Sequence, residues 1–152
     1  MPSAHKARLA MFKLVDDTES GSIYDLGSGW GHLVIRLAKR YPHREIVGYE
    51  VSILPWIMTL LLKKLLGLNN LIVHRENFLK ANLSGASVLL CYLHSPTMAA
   101  IKEKLDREAS KELYLISHNF ALPSELPIKT VQVNDFYRSP VYLYCLNRNA
   151  SR

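Results

Sequence analysis

The sequence has little cysteine, and its two cysteines are not arranged for a disulfide or a metal. Cys91 and Cys145 each lie inside an apolar run that is typical of a strand. We expect both to be free and buried, because neither pairing nor metal spacing is present. Four histidines show no metal-ligand spacing to one another or to the cysteines, and they are His5, His32, His43 and His74. We therefore expect no metal site, and a reducing, cytoplasmic environment.

The chain also lacks an apolar run of bilayer length, and its N-terminus lacks the continuous apolar core of a secretory signal. Residues 51–68, VSILPWIMTLLLKKLLGL, come nearest, but Lys63 and Lys64 fall where a spanning helix would still be in hydrocarbon. The favoured prediction is a helix buried against a parallel sheet. The alternative is peripheral membrane contact through Trp56 and the neighbouring leucines.

Positive charge is in excess, but it is not concentrated. The chain has 19 Lys and Arg against 13 Asp and Glu, which gives a formal net charge of +6. It has no arginine-rich tract with aromatic residues between the arginines. Nucleic-acid binding is therefore permitted but not indicated, and an acidic protein or an anionic membrane is equally compatible. Repeats, low-complexity segments and Gly/Ser-rich linkers are absent as well. We expect residues 1–152 to form a single domain, with residues 1–20 as an N-terminal helix and lead-in.

A glycine-rich segment is the most informative motif in the chain. Residues 25–31, DLGSGWG, follow a strand-like run at residues 22–24 and open an amphipathic segment at residues 30–41. Strand, glycine turn and helix form the context that a nucleotide-cofactor loop requires. The spacing is G-x-G-x-G rather than the dinucleotide pattern G-x-G-x-x-G. Asp25 would repel a pyrophosphate, whereas it suits the cationic ammonium group of a ligand such as S-adenosylmethionine (SAM).

A second acidic residue follows the next strand-like run. Residues 46–49, IVGY, are followed directly by Glu50, which is placed to accept hydrogen bonds from two ribose hydroxyls. Each acid alone could equally be an ordinary strand-end residue beside a glycine turn. The complete set of Asp25, the loop glycines and Glu50 favours a cofactor site.

Strand and helix patterns alternate along the chain. Helices are predicted at residues 4–14, 30–41, 54–66 and 96–108, and strands at residues 22–26, 45–49, 71–74, 86–93, 113–117, 128–133 and 141–146. Pro42 ends the second helix and Gly67 caps the third. This order predicts an α/β fold, a Rossmann-like seven-stranded, mostly parallel sheet with helices on both faces and a C-terminal antiparallel hairpin.

With these elements and this loop, the chain resembles the class I SAM-dependent methyltransferases. The residues that match the first motif of that superfamily are Asp25, Gly27, Ser28, Gly29 and Gly31, and those that match the second are Gly48, Tyr49 and Glu50. Asn77 and Phe78 lie where the superfamily often has an acidic residue and a phenylalanine that read the adenine. Asn77 replaces the usual aspartate, and Glu76 could serve instead. The resemblance implies SAM as cofactor and S-adenosyl-L-homocysteine as product.

Three further segments carry a narrower resemblance. They are residues 47–50 (VGYE) followed by Pro55 and Trp56, residues 91–93 (CYL) before a proline-started helix, and residues 116–123 (ISHNFALP). They are similar to the protein-lysine methyltransferases that modify ATP synthase subunit c and the adenine nucleotide translocase in mitochondria, with small prokaryotic relatives. Trp30 stands where many relatives have an acidic residue. The resemblance implies methyl transfer to a lysine amine of a protein substrate.

The acceptor channel is expected at the carboxyl ends of the fourth and fifth strands, where ligands of such sheets bind. Its candidate residues are Leu93, His94, Ser95 and Pro96 after the fourth strand, and Asn119 and Phe120 after the fifth. A lysine acceptor, with a free pKa of about 10.4, must lose its proton first, and a dry channel lowers that pKa. His94 and His118 are each candidate general bases, although a satisfied strand-end histidine is the plainer alternative.

Two other functions stay open. The chain has no Asn/Asp-Pro-Pro-aromatic motif after the fourth strand, which argues against methylation of amides or exocyclic amines. A generic cofactor loop, however, also permits an RNA or small-molecule methyltransferase, or a non-catalytic SAM-fold module that binds a partner. The oligomeric state is not readable from the sequence.

Overall fold

The computed structural model describes residues 2–18, 20–108, 111–134 and 138–146, with side chains from His5 onward. The chain divides into two compact units, which we call the central unit (residues 20–89) and the terminal unit (residues 1–19 and 90–152). The single domain predicted for residues 1–152 stays a prediction.

Four helices, one 3₁₀ turn and seven strands follow one another in nearly the predicted order. They are α1 (Pro2–Asp16), β1 (Ser22–Leu26), α2 (His32–Arg40), β2 (Ile46–Tyr49), α3 (Ile53–Leu66), β3 (Leu71–His74), the 3₁₀ turn (Phe78–Lys80), β4 (Ala86–Cys91), α4 (Ser95–Glu108), β5 (Leu113–His118), β6 (Lys129–Gln132) and β7 (Pro140–Leu146). The predicted fold class is confirmed. Helix α2 begins two residues later than predicted, since Gly29 and Gly31 both have positive φ.

The seven strands form a mixed sheet in the order β3-β2-β1-β4-β5-β7-β6. Strands β1, β2 and β3 pair in parallel, and their register places Asp25 beside Gly48. Strand β7 runs antiparallel to both β5 and β6, so the predicted C-terminal hairpin is present. The carboxyl ends of β1 and β2 lie together at one edge of the central unit, where both predicted cofactor motifs begin.

Helix α2 is amphipathic as its sequence predicts. Val34, Ile35, Leu37 and Ala38 are buried, a spacing that lies on one face of a helix. Lys39 and Arg40 occupy the last turn, where positive charge stabilises the carbonyl end of the helix dipole. The buried face fixes the position of the helix that follows the glycine loop.

Helix α3 differs from the favoured prediction, because it is not buried. Thr59 is its only buried residue, and most of its large apolar side chains face solvent. A largely apolar helix is ordinarily buried on all sides, and α3 departs from that rule. Gly67 caps it with φ 65, and its N–H reaches the carbonyls of Lys63 and Lys64, as predicted. Within the described ranges, no helix is long and apolar enough to cross a membrane.

In the terminal unit, helices α1 and α4 each bury an apolar stripe. The buried residues of α1 include Ala7, Met11, Leu14 and Val15, and those of α4 include Met98, Ile101 and Leu105. Neither cysteine forms a disulfide, as expected. Cys91 is fully buried, whereas Cys145 is only partly buried, a correction to the sequence prediction.

Candidate active site

The glycine loop is fixed to the end of strand β2 by its own backbone. The N–H groups of Gly27 and Ser28 both donate to the carbonyl oxygen of Tyr49, at 3.1 and 2.8 Å. Gly27, Gly29 and Gly31 have φ values of 88, 57 and 86°, in the left-handed region that favours glycine. The loop therefore has a defined shape before any ligand binds.

Glu50 ties the second motif to the first. One oxygen of its carboxylate accepts from the N–H of Gly29 at 2.8 Å, and the other accepts from the N–H of Ser52 at 2.9 Å. Hydrogen bonds to a carboxylate are among the stronger ones in proteins. Each carboxylate oxygen has a second lone pair, so the predicted contact with ribose hydroxyls remains chemically available. These two contacts thus fix the Glu50 side chain and hold the loop at Gly29.

A cavity of about 190 Å³ brings the three cofactor motifs together. Its lining residues are Gly27, Tyr49, Glu50, Val51, Glu76, Asn77 and Phe78. Pockets for complete drug-sized ligands are larger, about 300–1,000 Å³. The cavity therefore suits the nucleoside part of a cofactor, and its lining includes Glu50, predicted to bind the ribose, and Phe78, predicted to contact the adenine.

Asp25 and Ser28 provide polar groups that a cofactor would satisfy. Asp25 is buried, and burial raises the pKa of its carboxyl to about 7, with the Glu50 carboxylate as a second cause. A cationic ammonium group beside it would reverse that shift. The Ser28 hydroxyl is buried without a hydrogen-bond partner among the described residues. A buried, unpaired hydroxyl and a buried carboxyl in the same glycine-rich segment fit a bound polar ligand such as SAM.

The glycines of the site differ in how much space surrounds them. A Cβ at Gly29 would meet nothing within 4 Å, so this position leaves room for a ligand. A Cβ at Gly31 would lie 2.6 Å from the Thr59 hydroxyl, and one at Gly48 would lie 3.0 Å from the Ser28 Cβ. Gly31 therefore lets helix α3 approach the loop, and Gly48 makes room for Ser28.

Asn77 has a structural contact that the sequence did not suggest. Its side-chain oxygen accepts from the N–H of Leu79 at 3.0 Å and caps the 3₁₀ turn. The same oxygen retains one lone pair for an adenine amine. Glu76 lines the same cavity, so the alternative adenine contact is also in place.

In the terminal unit, the predicted acceptor residues form two ring pairs. The His94 and Phe120 rings meet edge to face, with centroids 5.7 Å apart. The Tyr92 and His118 rings stack at 4.8 Å. Both pairs join the end of β4 to the end of β5, and they provide an aromatic wall of the kind expected for an acceptor channel.

The remaining acceptor candidates lie at the backbone turns that carry these rings. Ser95 and Pro96 are exposed in the first turn of α4, and Leu93 is partly exposed. The carbonyl of His94 accepts from the N–H of Met98 at 2.9 Å, which fixes the start of that helix. Asn119 has φ 75, and its N–H donates to the carbonyl of Pro140 at 2.8 Å. Asn119 therefore holds the turn that presents Phe120.

Sequence reasoning did not assign Tyr92 or Ser139 to the site. Tyr92 is 66% exposed and stacks on His118, whose Nε2 lies 3.1 Å from the Ser139 hydroxyl. The signal for Tyr92 was available, because Tyr92 and His94 alternate at one strand end as His118 and Phe120 do at the next. Ser139 follows a loop and carries no such pattern.

Among the described side chains, no group of three or more His, Cys, Asp or Glu residues could hold a metal ion. A seven-stranded sheet with this loop, this acidic pair and this cavity defines a class I SAM-dependent methyltransferase. The chain belongs to the ANTKMT methyltransferase domain family, whose model matches residues 25–129.

Individual relatives agree with that family. A protein-lysine N-methyltransferase of Saccharolobus islandicus (strain REY15A) is 24% identical over 153 residues, covering 98% of this chain and 94% of the relative. An RNA methyltransferase from Salinibacter ruber, solved in complex with S-adenosyl-L-homocysteine, has a TM-score of 0.82 at 26% identity, covering 93% of this chain and 91% of that one. The putative methyltransferase yhhF from Escherichia coli shares the fold, with a TM-score of 0.72 at 13% identity over 92% of this chain and 85% of that one. The chain is a methyltransferase that uses SAM.

Proposed function

We propose that the enzyme methylates a lysine amine of a protein substrate. The observation that carries the proposal is the similarity, over 98% of the chain, to a protein-lysine N-methyltransferase. The ring pairs His94–Phe120 and Tyr92–His118 support it, because a lysine side chain is long and apolar up to its amine. Aromatic walls pack against such a stem and exclude water from the amine.

In this proposal each part of the chain has its own task. SAM, when bound, supplies a methyl group that transfers to the lysine nitrogen as its bond to sulfur breaks. Asp25 holds the ammonium group of the cofactor, and Glu50 holds the ribose. The aromatic wall favours the neutral amine by removing water from it. His94 accepts the proton that the amine loses, and then releases it to solvent.

Methylation of RNA is the second candidate, because the Salinibacter ruber structure is that of an RNA methyltransferase. A non-catalytic partner-binding module is the third. A cytoplasmic location is part of the proposal, and the reduced state of Cys91 and Cys145 is compatible with it. Peripheral membrane contact is a separate proposal about helix α3, and it does not depend on the acceptor.

One experiment separates these candidates. The purified chain is incubated with SAM that carries a labelled methyl group, together with protein or RNA fractions from the source cell. We expect label in protein only, recovered as methyllysine after hydrolysis, and no label once the protein lysines have been acetylated. Asp25→Asn should abolish incorporation, whereas the matched variant Glu45→Gln, at an exposed acid of the same unit, should retain it.

Label in RNA alone would contradict the proposal in favour of the second candidate. Binding of S-adenosyl-L-homocysteine without label in either fraction would favour the non-catalytic module.

A further inference from the structure

Helix α3 carries an apolar stripe that no described residue covers. The stripe consists of Leu54, Ile57, Met58, Leu61 and Leu65, which are 66, 40, 43, 57 and 81% exposed. Their spacing of three and four residues places them on one face of the helix. Exposed apolar residues are normal one at a time, but a contiguous row of five marks an interaction surface.

The opposite face of α3 is the one that packs on the unit. Thr59 is fully buried, and the Trp56 indole N–H donates to the carbonyl of Val73 at 3.1 Å. Trp56 is therefore turned toward strand β3 and is only partly exposed. The leucines beside it are the exposed ones.

Helices α2 and α3 carry positive charge and no negative charge. Their five basic residues are Arg36, Lys39, Arg40, Lys63 and Lys64. Lys63 follows the buried Thr59 by four residues and lies on the inner side of α3, whereas Lys64 follows Leu61 by three and borders the stripe. We call Arg36, Lys39, Arg40 and Lys64 the basic rim. Arg36 and Lys39 line a depression together with Leu62 of α3 and the half-exposed Trp30, which places part of the rim next to the helix.

This combination selects one class of partner. A nucleic acid would satisfy the basic rim but would leave the five apolar side chains in water. A second copy of the chain packed symmetrically through α3 would bring two basic rims together without an acidic residue on either pair of helices. An anionic lipid bilayer satisfies both parts, because its acyl boundary takes the stripe and its headgroups take the rim.

We propose that α3 docks the enzyme on the surface of an anionic lipid bilayer. The helix lies along the interface with the stripe facing the acyl chains. Trp30, beside the rim, lies where aromatic residues favour the headgroup level. The surface lies wholly in the central unit and is distinct from the cofactor cavity and from the ring pairs.

Vesicle sedimentation with the full-length chain tests this proposal. We expect binding to vesicles of phosphatidylcholine with phosphatidylglycerol, and much weaker binding to phosphatidylcholine alone. Leu54→Gln with Leu65→Gln should lower partitioning by more than about tenfold, because these are the two most exposed members of the stripe. The matched control is Leu126→Gln with Ile128→Gln, two exposed apolar residues of the terminal unit, which should bind like wild type.

The charge requirement has its own pair of variants. Lys39→Gln with Lys64→Gln should weaken binding to anionic vesicles by about tenfold or more. Lys13→Gln with Lys111→Gln removes the same net charge from the terminal unit and should have little effect. Equal loss in both pairs would mean non-specific attraction of a basic protein and would overturn the proposal.

Two other outcomes would also overturn it. Wild-type binding by the Leu54/Leu65 variant would show that the stripe does not contact lipid. A dimer in sedimentation velocity that this variant converts to monomer, with no vesicle binding by wild type, would assign the stripe to a second copy. Binding of S-adenosyl-L-homocysteine, measured in parallel, shows that each variant is folded and leaves the acceptor question untouched.

Discussion

The central and terminal units hold their functional side chains in different ways. In the central unit, Gly27 and Ser28 donate to the Tyr49 carbonyl, and Glu50 accepts from two further backbone N–H groups. In the terminal unit, the acceptor candidates contact one another mainly through rings, at centroid distances of 4.8 and 5.7 Å. Backbone hydrogen bonds are directional, whereas ring contacts tolerate some reorientation.

Under the proposed function, the difference corresponds to what each unit would recognise. A cofactor has one structure, so a loop fixed in advance costs the least free energy on binding. An acceptor side chain would enter and leave at every turnover, and Tyr92 is the more exposed ring of its pair on that side. We therefore expect cofactor binding to be sensitive to single polar atoms of the central unit, and turnover to be sensitive to the terminal unit.

Removing the Glu50 carboxylate should have the largest effect. Glu50→Ala loses the contacts to the N–H groups of Gly29 and Ser52, and with them the expected contacts to two ribose hydroxyls. Hydrogen bonds to a charged group are worth about 1.5–3 kcal/mol each, so loss of the two ribose contacts should raise the Kd for S-adenosyl-L-homocysteine about 1,000-fold. Isothermal titration calorimetry measures the change. Glu45→Ala, at an exposed acid just before β2, is the control and should bind normally. A Kd within twofold of wild type for Glu50→Ala would refute the assignment of the site.

Removing the His94 imidazole should separate turnover from cofactor binding. His94→Ala should lower kcat about 100-fold if the ring accepts the proton of the amine. The Kd for S-adenosyl-L-homocysteine should stay within about twofold, because His94 does not line the cofactor cavity. His43→Ala, at an exposed histidine of the central unit, is the matched control. Unchanged kcat in the methyl-transfer assay would leave His94 with a packing role only.

The smallest effect is a pH dependence of cofactor affinity. Burial raises the pKa of Asp25 to about 7, and the cofactor ammonium requires the ionised form. Affinity should therefore rise about tenfold between pH 6 and pH 8 and then level off. In the cofactor-free protein, the stability of the fold depends on pH in the opposite direction. The raised pKa stabilises the fold at low pH, and that contribution is lost between about pH 4 and pH 7.

Asp25→Asn provides the control for both pH dependences, that of cofactor affinity and that of stability. Its affinity should be low at every pH, and calorimetry should show no dependence between pH 6 and pH 8. Its melting temperature should fall less than that of wild type as the pH rises. A wild-type affinity that is flat across this range would mean that Asp25 does not titrate on binding.

The sequence predicted the cofactor side of the molecule well because that side follows local rules. Strands β1 and β3 have the predicted bounds, and Gly67 caps α3 with the expected left-handed φ. The loop and Glu50 lie at adjacent strand ends because parallel strands align their carboxyl ends. Each of these features depends on a few neighbouring residues.

The features that the sequence did not predict depend on contacts between distant residues. The apolar content of α3 says nothing about how many of its sides are covered, so its predicted burial was wrong. The hydrogen bond from Leu79 to Asn77 depends on a 3₁₀ turn that no hydrophobic period marks. The stacking of Tyr92 on His118 depends on the pairing of two strand ends.

The close approach of Thr59 to Gly31 has a consequence for variation in this helix. Because the inner face of α3 lies against Gly31, whose φ of 86° and lack of a Cβ both require glycine, residue 59 can become smaller but not larger without moving the helix or the loop. The outer stripe has no such restriction. Leu61 and Leu65 can be replaced by other side chains without contact to the loop, because both are exposed on the far side of the helix. One helix thus has a side that is limited by the loop and a side that is free to vary.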